Sequence, residues 1–90
     1  MTRSARAKER LDRLYQGKFY GVRDHDYHNT IDLLVDLFKE GEGPHVNDIR
    51  HWARYRGWPD EDVDEIGQMV DVIYIALRRA GVIEADSINS

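Results

Sequence analysis

Four glycines, Gly17, Gly41, Gly57 and Gly81, each stand at the end of a stretch in which apolar residues recur at helical spacing. Glycine enters the left-handed conformation that closes a helix without the Cβ clash other residues suffer, so the chain reads as helix, stop, helix, stop. The first stretch, Ser4 to Gln16, opens on a possible serine cap and carries Ala7, Leu11, Leu14 and Tyr15 at helical spacing. That seam is narrow, and the segment is expected to bury little, lying across the rest or staying mobile. The second, Tyr27 to Glu40, puts Tyr27, Ile31, Leu34 and Phe38 in one row with Asp32, Asp36 and Lys39 pointing away. Asp26 is its expected cap, and Glu42-Gly43-Pro44 marks the turn that follows. The third, Asp48 to Arg56, takes Asn47 as its cap and turns Ile49, Trp52 and Ala53 inward.

The fourth stretch is the longest. Pro59 suits a first helical position, and Asp60, Glu61, Asp62, Asp64 and Glu65 crowd the positive end of the helix dipole. Arg78 and Arg79 sit at the negative end, while Val63, Ile66, Gly67, Val70, Ile73, Tyr74 and Leu77 keep the core rhythm. The fold class that follows is all-α: four helices, of which the last three form a helix-turn-helix-like core joined by a basic N-terminal helix. In domain terms residues 1–23 are a basic arm, 24–84 the helical core and 85–90 a tail, all within one domain, since ninety residues are too few for two.

Composition narrows the function classes. No cysteine is present, which excludes disulfides, thiolate metal sites and cysteine nucleophiles, and agrees with a reducing, cytoplasmic setting. Val72-Ile73-Tyr74-Ile75-Ala76-Leu77 is the longest apolar run, six residues where a membrane span needs roughly 20 and a signal h-region at least about 7. An unexported chain with no membrane role is therefore expected. Charge is segregated: residues 1–23 hold seven Lys/Arg and two acids, net +5, and residues 24–90 hold six Lys/Arg and fifteen acids, net −9.

Two surfaces stand out. At about 100° per residue, Val72 and Ile75 lie opposite the core stripe of the fourth segment, with Met69 and Ala76 between the two. A helix apolar nearly all round is central or shared. Either the leucines of the first segment cover this second face, or another copy of the protein does. The other surface is the outer side of the third segment: Asn47, Arg50, His51, Arg54 and Tyr55 are side chains suited to base edges and phosphates. The plainer reading of its cations is that Arg54 and Arg56 form solvated ion pairs with the Asp60–Glu65 cluster.

A helix, a glycine turn and a short basic helix resemble helix-turn-helix DNA-binding domains. The run from Gly43-Pro44 to Leu77-Arg78-Arg79-Ala80-Gly81-Val82-Ile83 is similar in outline to a winged-helix domain, over about residues 30–84. That resemblance implies a DNA-binding regulator in which the fourth segment is the recognition helix. This sequence departs from it, because five carboxylates on that helix's first turns would face phosphate.

Arg3, Arg6, Lys8, Arg10 and Arg13 of the N-terminal helix, with Lys18 and Arg23 beyond it, suit a phosphate backbone, or the acidic body of the protein itself or of a neighbour, which we favour; for an anionic membrane surface the apolar face is too thin. Asp24-His25-Asp26-Tyr27-His28 packs potential metal ligands together, but neighbouring residues at a helix start diverge and no metalloenzyme spacing is present, so no metal or other cofactor is expected. Serines only at positions 4, 87 and 90, and no glycine-rich phosphate loop, argue against catalysis and against a small-molecule substrate. The sequence thus points to a non-catalytic binding module whose partner is another protein or a second copy. The alternative is a DNA-binding protein using residues 47–55 and the arm.

Overall fold

The computed structural model describes residues 4–15 and 27–83. Among these the chain is all-helical: α1 (Ala5–Tyr15), α2 (Tyr27–Lys39), α3 (Val46–Tyr55) and α4 (Asp60–Arg79), with no strand. The winged-helix outline therefore has no wing among the described residues. Asp24, His25, Asp26, Gly17, Lys18, Arg23 and Arg3 lie outside them.

Three of the four expected glycine stops fall within the described residues, and all three close a helix in the same way. After α3, Gly57 has φ +82°, its N–H bonds the Arg54 carbonyl at 2.9 Å, and the Trp58 N–H reaches back to the Ala53 carbonyl at 3.1 Å. That is a Schellman motif, which satisfies carbonyls the helix would otherwise leave bare. Glu42 to Leu37 after α2 and Val82 to Leu77 after α4 repeat it, at 2.8 and 2.9 Å.

Helix starts differ from the expectation at α1, at α3 and at α4, where Pro59 is the N-cap and not the first helical residue, the helix beginning at Asp60. α3 begins at Val46, and His45 rather than Asn47 is the cap: its Nδ1 accepts from the Asn47 N–H at 3.2 Å. Asn47 is thereby inside the first turn with its side chain exposed.

The core joins all four helices. Ala7, Leu11 and Tyr15 of α1, Leu34, Leu37 and Phe38 of α2, Ile49, Trp52 and Ala53 of α3, and Val63, Ile66, Met69, Val70 and Ile73 of α4 form one cluster with Trp58. The first helix corrects the expectation: its seam is narrow, yet Ala7 and Leu11 are fully buried and Tyr15 is 1% exposed. Polar links complete what the seam lacks. The buried Ser4 hydroxyl donates to Asp48 at 2.7 Å and accepts from the His45 N–H at 3.0 Å. Its expected role as a side-chain cap for α1 is thus replaced by a tie to the start of α3, while its carbonyl takes the Lys8 N–H. Asp12 accepts from Trp52 Nε1 at 2.9 Å and from Arg56 Nε at 2.7 Å. Tyr15 hydrogen-bonds Thr30 in the interior, at 2.7 Å, and its ring stands edge-on to Trp58 at 5.1 Å. α1 is pinned to α2 and α3, which leaves the outer side of α4 uncovered by it.

Candidate interaction surfaces

On α4 the side chains opposite the core stripe remain accessible. Val72 is 64% exposed, Ile75 is 45% exposed, and Ala76 is exposed beside them. Met69 departs from this group, being 7% exposed. At about 100° per residue it stands about 40° from Ile73 and about 60° from Val72, so a long flexible side chain there leans toward the core. It forms the floor of an open groove of about 390 Å³ between α2 and α4, lined by Ile31, Glu65, Gln68, Met69, Val72 and Ile73. Ile31 and Gln68 had no place in the surface read from the sequence. Ile31 belongs to the apolar row of α2, and the crossing of two helices, not either helix's own period, decides which member of a row stays at the edge.

On α3, four of the five expected side chains, Asn47, His51, Arg54 and Tyr55, are exposed, Tyr55 to 86%. Arg50 is the exception. It lies over α4, where a Cβ added to Gly67 would stand 2.3 Å from its Nε, and that Nε is buried without a hydrogen-bond partner. The glycine at 67 gives the arginine stem room to cross the helix, so Arg50 packs α3 on α4 instead of pointing outward.

The cations of the first helix are largely engaged with the chain's own acids. Arg6 and Arg10 approach Glu40 at 3.5 and 3.9 Å, and Arg13 bonds Glu9 one turn away at 2.6 Å. Lys8 is half-buried and lines a second open depression with Asp12, His51, Trp52, Tyr55 and Arg56. Arg56 also corrects the sequence reading. Its partner is Asp12 on α1, not the acids of α4, and its guanidinium lies 5.6 Å from the centre of the Trp52 ring and 5.8 Å from that of Tyr55. Asp12 carries no local signal, because its donors lie forty and forty-four residues away.

No family model, curated protein or solved structure matches this chain. Its surfaces must therefore speak for themselves. Among the described residues no cluster of histidine and acidic side chains has the arrangement of a metal site, and no helix is long and apolar enough to cross a membrane. What remains is an apolar ridge with a groove on α4, and a polar, aromatic face on α3.

Proposed function

We propose that the protein is a small non-catalytic binding module whose principal surface is the outer face of α4, and that this surface takes another protein chain. The observation that carries this reading is the pair Val72 and Ile75, β-branched side chains left 64% and 45% exposed side by side on a 20-residue helix whose opposite face is already buried. Two such residues next to an apolar groove form a continuous patch, and contiguous exposed apolar area is what protein interfaces draw on.

A photo-crosslinking amino acid in place of Val72, activated in the protein's native cell, tests the reading directly. A discrete protein adduct supports it, and the absence of any adduct overturns it. The companion variant Val72→Lys with Ile75→Lys is expected to fold normally, with a stability change within about 0.5 kcal/mol, because neither side chain is in the core. Loss of helicity in that variant would mean that the face is covered from within the chain.

A second reading rests on α3. Asn47, His51, Arg54 and Tyr55 are all exposed, and two acids beside this face are occupied, Asp48 by Ser4 and Asp12 by Trp52 and Arg56. If this face takes duplex DNA, Arg54→Ala weakens binding by about 1 to 3 kcal/mol where it reads a base, and affinity falls steeply between about 50 and 200 mM salt. A titration with mixed genomic fragments that shows no binding at about 50 mM salt removes this reading.

A further inference from the structure

Glu65, Gln68, Val72, Ile75 and Arg79 follow one another at intervals of three and four residues, the spacing of a coiled-coil seam. The seam lies on the outer face of α4 and is symmetric in an unusual way. Val72 is at its centre, Glu65 is seven residues before it and Arg79 seven after, and the flanking row runs Asp64, Asp71, Arg78. We propose that the partner of this face is a second copy of the chain, bound antiparallel about a two-fold axis beside Val72. The proposal rests on the reading of α4 as an interaction surface and supplies its occupant and register.

The argument is one of charge and shape together. In the antiparallel register Arg79 faces the partner's Glu65 and Arg78 falls beside the partner's Asp64, with the same pairs repeated across the axis; the same row sets Asp71 beside the partner's Asp71, one like-charge contact against four attractive ones. In a parallel register Arg79 would face the partner's Arg79, and Glu65 the partner's Glu65, which is repulsive at both ends. The helix dipole accounts for acids at one end and arginines at the other, but not for an apolar pair centred between them. Among the described residues Arg78 and Arg79 hold no ion pair of their own and so are available to a partner; Glu65 already has an interaction of its own, and the exposed Asp64 of the flanking row is the acid open to receive them. Shape agrees. The two-fold that sets residue 65 against 79 also sets Ile75 against the partner's Met69, the floor of the groove between α2 and α4. Ile75 is the knob, and the groove lined by Ile31, Gln68, Met69 and Val72 is the hole. Each copy offers one of each, which is the self-complementarity an isologous dimer requires. With so few apolar contacts the association is expected to be weak, concentration-dependent and weakened by salt.

Light scattering on the purified full chain across a concentration series is the primary measurement, with dimer mass at high concentration and low salt as the expected result. Arg78→Glu with Arg79→Glu is expected to weaken dimerisation at least tenfold, and Asp64→Lys with Glu65→Lys to do the same. Mixing those two variants should restore a dimer, because every end-to-end pair is then attractive. Should the second variant fail to fold, cysteine pairing gives the register independently, since the chain has no cysteine of its own. Gln68→Cys and Ala76→Cys, mixed and oxidised, should crosslink to each other and not each to itself. Self-crosslinking of Gln68→Cys, or a dimer indifferent to reversal of both arginines, would overturn the antiparallel register. A wild-type chain that stays monomeric at millimolar concentration overturns the second copy as occupant. That result leaves the photo-crosslink at position 72 to decide separately whether the face binds a different protein.

Discussion

Deletion of residues 1–15 is expected to abolish folding, read as loss of the far-ultraviolet helical signal and of any cooperative thermal transition. The reason is what the segment leaves behind. Ala7, Leu11 and Tyr15 fill the interior between α2 and α3, and removing them uncovers Trp52, Trp58 and Thr30 at once. Ninety residues support a total stability of only about 4 to 13 kcal/mol. A single truncation within the helix, Leu11→Ala, removes a fully buried leucine and is expected to cost about 2 to 5 kcal/mol, a large share of that total. Salt separates this outcome from electrostatic docking. Were α1 held by Arg6 and Arg10 on Glu40, high salt would detach it; held by burial, Leu11→Ala keeps the same penalty at 1 M salt. A chain lacking residues 1–15 that unfolds cooperatively near the wild-type temperature would show that α1 is an accessory to the fold.

How much of this was legible in the sequence depends on whether the signal is local. The helix ends were legible because a Schellman stop needs one glycine in one place, and Gly41, Gly57 and Gly81 supply it at φ +80°, +82° and +74°. Trp52 read as a packing residue and is 5% exposed, while Tyr55 read as a surface residue and is 86% exposed. The exposed pair Val72 and Ile75 was legible too, since the helical period alone sets them opposite the core stripe. The depth of α1 was not. Two leucines, a tyrosine and an alanine make a poor seam by periodicity, and what anchors them is polar: Ser4 to Asp48, and Asp12 to Trp52 and Arg56. Those partners are forty or more residues apart, and nothing near Ser4 or Asp12 announces them. Arg50 failed for the same reason. By period it belongs with His51 and Arg54 on the outside, but the absence of a side chain at Gly67 opens a path over α4 that only the packed pair of helices defines.

Trp52→Ala is expected to be the most damaging single substitution, at about 3 to 5 kcal/mol. The indole stands where three elements meet. Its ring is 6.2 Å from that of Tyr15 and 5.2 Å from that of Trp58, and its N–H is the donor to Asp12. Truncation leaves a cavity that the rigid neighbours Tyr15 and Trp58 cannot close, and it takes one donor from a half-buried carboxylate. Trp52→Phe separates those two effects. The phenyl ring keeps most of the packing, and Asp12 keeps Arg56, so the charge is not stranded; the expected cost is the hydrogen bond, about 1 kcal/mol, and a small loss of volume. Asp12→Ala probes the same site from the other side, leaving the indole N–H and a partly buried guanidinium without an acceptor, for about 1 to 3 kcal/mol. Urea denaturation followed by circular dichroism orders the three variants. The expected order of loss is Trp52→Ala first and Trp52→Phe last. If Trp52→Phe proved as costly as Trp52→Ala, the link between α1 and α3 would depend on the indole hydrogen bond to Asp12 more than on the area Trp52 buries.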